Sequence, residues 1–125
     1  MEKTFAERVA EARAEVAALT PHEANKTLSG NPGALVLDPR SEDDIRKTTG
    51  RIPGAINVPL NELSDTPIGG LPHELSSRTR TIIASCQGGP MGALAAYTLK
   101  KRGYINVFFI DGGTQGWLDA GYSTC

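Results

Sequence analysis

One cysteine in this sequence stands where a thiol can do chemistry. Cys86 follows the apolar run Thr81–Ala84, which is rich in β-branched residues and reads as a buried strand. After it come Gln87, Gly88, Gly89, Pro90, Met91 and Gly92. A helical segment follows, in which Leu94, Ala95, Thr98 and Leu99 are expected to share one face. The thiol is thus expected at a strand end, under a glycine-rich loop, where a helix begins. Glycines admit backbone conformations closed to other residues, so several N–H groups can point into one concavity. The helix terminus adds roughly half a positive charge. Such a cradle holds anions and favours the thiolate, the nucleophilic form that makes up only a few per cent of a free thiol at neutral pH. A buried cysteine can also simply fill space. The strand–loop–helix setting is what points to chemistry.

The elements that would position this loop alternate along the chain. Thr4 with Glu7 spells a capping box for a first helix over residues 4–14, with Phe5, Val9, Ala12 and Val16 on one face. Residues 16–19 fit a short edge strand. Thr20-Pro21-His22-Glu23 is a second helix start, with cap, proline and glutamate in order. Ala34–Leu37 reads as a buried strand delivering Asp38-Pro39-Arg40 at its end. A short helix from Ser41, a strand over 55–58, one helical turn over 61–64, a loop at 68–70 and a short helix over 72–76 follow. Gly103 closes the long helix, residues 105–110 form the last strand, and Thr114 is expected to cap a final helix carrying Trp117 and stopped by Gly121. Strands alternating with helices argue an α/β domain whose parallel sheet is covered on both faces. Ligands of such sheets sit beyond the C-terminal strand ends. Asp38, Cys86 and Asp111 all fall there, each aspartate having a turn or cap role as its alternative.

The rest of the composition narrows the field. The chain has 125 residues, with 13 basic and 14 acidic residues and a net charge of −1. That length suits one domain with a real core. Its longest basic run, Lys100-Lys101-Arg102, closes a helix where cations belong. Charge therefore gives no support for nucleic-acid or membrane partners. No apolar run approaches the ~20 residues of a membrane span, and the charged N-terminus lacks a signal-peptide core, so a cytoplasmic location is expected. The second cysteine, Cys125, is expected to be exposed and frayed at the end of the sequence. Two cysteines with no nearby histidine make no convincing zinc site, and no metal is expected. His22 and His73 are read as surface residues.

Three segments in order now resemble a known family. They are LVLDPRSEDD with GRIPGAINVP, the Cys86 loop with its helix, and FFIDGGTQGWLDAGY. Together they resemble the single-domain rhodanese, or sulfurtransferase, family over about residues 20–122. The resemblance implies a rhodanese-like α/β fold with a parallel five-stranded sheet and helices on both faces. Residues 20–125 would form the rhodanese domain, with 1–19 an N-terminal helix and edge segment. It implies that Cys86 is the catalytic nucleophile, which takes a sulfane sulfur from a donor such as thiosulfate or a persulfide. The Cys86 persulfide would then pass it to cyanide, a thiol or a protein acceptor. No cofactor is implied. The substrate-binding loop would be Gln87, Gly88, Gly89, Pro90, Met91 and Gly92. The cysteine plus five residues matches sulfurtransferases, whereas the related phosphatases of this fold use a loop one residue longer.

The sequence departs from the family pattern at the loop end, where an arginine and a serine are usual and Met91 and Gly92 stand. An arginine there would grip an oxyanion donor with a charged fork. Without it, roughly 10- to 150-fold in rate is lost, on the basis of about 1.5–3 kcal/mol per charged contact. Thiosulfate is therefore expected to be a poor donor. Pro39 replaces an aliphatic residue, Arg51 stands where histidine is frequent, and about two extra residues lie between Arg40 and Gly50. Arg40 and Arg51 are the candidates to supply the missing cation, each alternatively a structural ion pair or a solvated side chain. Asp38 and Asp111 are expected to be structural near the site. The alternative to an enzyme is a rhodanese-like binding or regulatory module with weak or no turnover.

Overall fold

The computed structural model describes residues 2–125. Five strands form one parallel sheet: β1 (Ala17–Leu19), β2 (Leu35–Asp38), β3 (Ile56–Asn57), β4 (Ile82–Ala84) and β5 (Val107–Ile110), in the order β1-β5-β4-β2-β3. Six helices connect and cover them: α1 (Phe5–Glu15), α2 (Pro21–Gly30), α3 (Glu42–Lys47), α4 (Leu60–Asp65), α5 (Pro90–Lys101) and α6 (Gly113–Asp119). Two 3₁₀ turns, Ile68–Gly70 and His73–Leu75, lie between α4 and β4.

Strand alternation divides the core in two. On one face Leu35 and Leu37, Ile82 and Ala84, and Val107 and Phe109 point toward α1, α4 and α5. On the other, Val36, Ile83 and Ile110 meet Ala24 of α2 and Trp117 of α6. The central strands β2, β4 and β5 are buried on both sides, so their apolar residues run on without the alternation of a half-exposed strand, whereas the edge strands β1 and β3 are more open. The edge strand β1 pairs with β5 from Ala17↔Phe108 to Leu19↔Ile110. It is held by α1, whose Ala12 is fully buried.

The helix starts follow the capping signals. Thr4 and Glu7 cap α1, and Thr20 and Glu23 cap α2, each in a reciprocal pair of hydrogen bonds. The backbone N–H groups of Thr4 and Thr20 hold the Glu7 and Glu23 carboxyls below the usual range. Several local expectations change: the strand expected over 55–58 shortens to Ile56–Asn57, and the helix expected over 72–76 is a 3₁₀ turn at His73–Leu75. The buried stripe of α5 is Gly92, Ala93, Ala95, Ala96 and Leu99, with Leu94 and Thr98 only half-buried. The helix starts at Pro90, and this phase sets its small residues against β4 and β5. The last strand begins at Val107, and Ile105 is exposed. Residues 68–70 form a 3₁₀ turn rather than an open loop. Finally, α6 is capped by Gly112, not Thr114, because the turn at Gly112-Gly113 lets the helix begin earlier.

Candidate active site

Asp38 ends β2, Asp111 follows β5, and Cys86 lies two residues past β4, so all three sit at C-terminal strand ends on one side of the sheet. Cys86 is 3% exposed, and its Sγ accepts a hydrogen bond of 3.1 Å from the N–H of Gly89. Gly89 takes φ +119°, a conformation that side chains rarely adopt, and so lets the loop fold back over the sulfur before Pro90 starts α5. Where several N–H groups were expected on the sulfur, one is engaged. Among the described residues the N–H groups of Gln87 and Gly88 make no hydrogen bond, and both residues are exposed. The first-turn N–H groups of α5 lack intrahelical partners as in any helix.

The loop is held from behind by α6. The N–H of Thr114 donates to the carbonyl of Cys86 at 2.7 Å, and that of Gln115 to the carbonyl of Gln87 at 3.0 Å. Two otherwise orphaned donors of the helix terminus are thus spent on the loop. The Thr114 hydroxyl, freed from capping, is buried and hydrogen-bonds Ser85 at 2.8 Å. Gly113 sits so close beneath the loop that an added methyl group would lie 2.7 Å from the carbonyl oxygens of both Cys86 and Gln87. At Gly92 an added methyl would lie 3.2 Å from the Ala84 carbonyl oxygen. The glycine there lets α5 lie tight on the end of β4.

A cleft of about 400 Å³ opens over Cys86, lined by Gln87, Gly88, Pro90 and Met91 of the loop. Arg40, Asp44 and Thr48 form one wall, and Phe5 of α1 stands on another. Arg40 reaches the cleft, but its donors are committed. Nε and Nη2 fork onto the Asp38 carboxylate at 2.9 and 2.7 Å, Nη1 reaches the hydroxyls of Thr48 and Thr49, and Nη2 also reaches the Gly50 carbonyl. That accounts for every N–H of a guanidinium. Arg51 does not line the cleft and pairs with Glu42. Asp38 is buried beneath the wall, while Asp111 is exposed and faces Arg13 at 3.9 Å. Cys125 is exposed as expected, yet its backbone is not frayed: its N–H and carbonyl pair with Arg51 at 2.9 and 3.0 Å.

Sequence reasoning passed over four neighbours of the site. Phe5, Asp44 and Thr48 line the cleft. Arg13 lies 3.4 Å from where a side chain on Gly89 would begin, with its guanidinium over the Phe109 ring. Phe5 and Arg13 belong to α1, more than seventy residues before the loop, and no local pattern ties that helix to it. Asp44 lies in the first turn of the short helix that begins after Ser41, where nothing local marks it for the site. Among the described residues no helix is long and apolar enough to cross a membrane, and no group of three or more His, Cys, Asp or Glu gathers around a metal position.

This geometry can be set beside known proteins. A tRNA uridine(34) hydroxylase of Xanthomonas axonopodis is 28% identical over 85 residues, which cover 68% of this chain and 34% of that protein. The chain therefore spans about a third of the length of the hydroxylases it matches. A solved structure from Rhodopseudomonas palustris, of unknown function and described as a possible tyrosine phosphatase, aligns over 100% of this chain and 96% of its own. Its identity is 26% and its TM-score 0.87. The polysulfide-sulfur transferase of Wolinella succinogenes covers 97% of this chain and 86% of its own at 24% identity and a TM-score of 0.75, a likeness of fold. The family described as Rhodanese-like domain matches residues 20–120, from the cap of α2 to the end of α6. With the five parallel strands and the loop after β4 in place, the chain belongs to the rhodanese-like family.

Proposed function

We propose that this chain is a sulfurtransferase that carries sulfane sulfur on Cys86. The observation that supports it is the Cys86 Sγ at the base of an open cleft, held by the Gly89 N–H inside a loop of the length that suits a sulfur carrier. The thiolate attacks the outer sulfur of a donor R–S–SH. A new S–S bond forms at Cys86 as the R–S to sulfur bond breaks. The thiolate RS⁻ leaves with the electron pair and takes up the donor's proton, so the protein is left as the anionic persulfide. An acceptor thiol or cyanide then takes the outer sulfur and Cys86 is restored. The unpaired N–H groups of Gln87 and Gly88 are donors for the extra sulfur and for charge developing during transfer. Gln87 to Gly92 are the residues that would bind substrate.

Arg40 supports the wall rather than the substrate, because its N–H groups are consumed by Asp38, Thr48, Thr49 and Gly50. Among the described residues the cleft thus has no free guanidinium for an oxyanion, which weighs against phosphate-ester chemistry and against thiosulfate as the working donor. A persulfide or polysulfide fits the soft Met91 surface better. Mass spectrometry after donor treatment tests the proposal. The expected result is a gain of one sulfur atom, ~32 Da, on Cys86, absent in Cys86→Ser. Turnover with glutathione persulfide is expected to exceed that with thiosulfate, and Met91→Arg should raise thiosulfate kcat/KM about tenfold or more. If no donor loads Cys86, the enzyme reading fails in favour of a binding module.

A further inference from the structure

The charges around the Cys86 cleft are unbalanced. Among the described residues two ionic side chains line it, Arg40 and Asp44. Arg40 is 3% exposed and its charge is met by the forked contact with Asp38. Asp44 sits in the first turn of α3 with its side chain exposed. Its neighbours Asp43 and Glu42 pair with Arg46 and Arg51, but among the described residues its own carboxylate has no ion-pair partner. Its backbone is anchored at both groups, the N–H donating to the Ser41 hydroxyl at 3.2 Å. The Thr48 hydroxyl donates to the Asp44 carbonyl at 2.6 Å and accepts from Arg40 Nη1 at 3.0 Å. The remaining walls, Phe5, Pro90 and Met91, are uncharged. Arg13 faces Asp111 and lines the adjoining groove with Phe5 and Pro90, not this cleft.

We propose that Asp44 makes the cleft a charge filter, so that the sulfur compounds it admits are neutral or cationic next to the reacting sulfur. Alkyl and aminoalkyl persulfides belong to this class, and donors with an anionic group there, such as thiosulfate and sulfonated alkyl persulfides, do not. The loop N–H groups stabilise charge on the transferring sulfur itself, at the base of the cleft. The Asp44 carboxylate acts on the part of the donor that remains at the mouth. The assignment of donors rests on the sulfurtransferase reading, but the filter can be measured without it.

The test uses the full chain carrying Cys125→Ser and two alkanethiosulfonates that differ only in charge, one with a trimethylammonium end and one with a sulfonate end. Cys86 attacks each reagent, a mixed disulfide forms, and methanesulfinate leaves. The cation-to-anion ratio of rate constants, divided by the same ratio for 2-mercaptoethanol, isolates the field of the protein. The expected ratio is well above one. It should fall about fivefold or more in Asp44→Asn and in ~1 M salt, where the screening length is about 3 Å. A ratio that Asp44→Asn leaves unchanged overturns the filter. Loading with cysteamine persulfide and with thiosulfate is then compared in the same two proteins. If the probes respond to Asp44 but neither donor loads Cys86, the sulfurtransferase reading falls and the filter stands. If both donors load equally with and without Asp44, the filter falls and that reading stands.

Discussion

Breaking the Arg40–Asp38 pair from one side leaves a charge inside the protein without its partner. Both residues are almost wholly buried, and the pair is joined by two hydrogen bonds below 3.0 Å. Removing one member of such a pair costs about 3–5 kcal/mol, most of it from the stranded charge. Arg40→Ala is therefore expected to lower unfolding free energy in urea by about that much, since Asp38, Thr48 and Thr49 all lose their donor. Arg40→Lys should recover little of it, because an ammonium cannot reproduce the fork. A loss below about 1 kcal/mol would mean that water replaces the guanidinium at no cost, contrary to the burial. At this scale the expected position of Cys86, just past a strand end and under a glycine loop, is where the structure has it. For Arg40 the sequence left open three roles, loop cation, ion pair and solvated side chain, that only the four residues around the guanidinium distinguish.

At the scale of elements, the cysteine loop is shaped as much by α6 as by the helix it introduces. The Thr114 and Gln115 N–H groups hold the carbonyls of Cys86 and Gln87, and Gly113 provides the room for that approach at φ +63°. An alanine there must take up a left-handed conformation and push two backbone carbonyls away. Gly113→Ala is expected to cost about 1–3 kcal/mol in stability. It should also slow persulfide loading of Cys86, because displaced carbonyls tilt the loop N–H groups. A variant with normal stability and normal loading would show that the clamp does not set the loop. The order of strands and helices was legible because caps, glycines and apolar runs are local signals. The start of α6 was misread for a physical reason. A threonine after two glycines fits a cap, and nothing local says that its hydroxyl is taken by Ser85, 29 residues earlier. The α5 stripe was misread because Leu and Thr outweigh Gly and Ala in any hydrophobic pattern, while small residues were what the close sheet demanded.

Across the whole molecule, both ends of the chain return to the site, which is why its rim was the least legible part. From one end, α1 brings Phe5 to the cleft and Arg13 to Gly89. From the other, residues 123–125 lie along the segment that holds Arg40. Cys125 pairs twice with the Arg51 backbone, the Thr124 hydroxyl donates to the Thr49 carbonyl at 2.7 Å, and Trp117 Nε1 donates to the Ser123 carbonyl at 2.9 Å. Thr49 and Gly50, which this tail fastens, are themselves acceptors for Arg40. Removing residues 123–125 deletes these four bonds. At about 0.5–1.5 kcal/mol each, and at the lower end for exposed groups, the loss should be about 1–3 kcal/mol. The effect is expected to be local first. Hydrogen exchange at the Arg51 amide should accelerate strongly, while the Ile82–Ala84 amides in the centre of the sheet keep most of their protection. Equal acceleration at both would mean that the truncation acts on global unfolding alone. An Arg51 amide still protected after the cut would show that the tail does not brace the Arg40 wall.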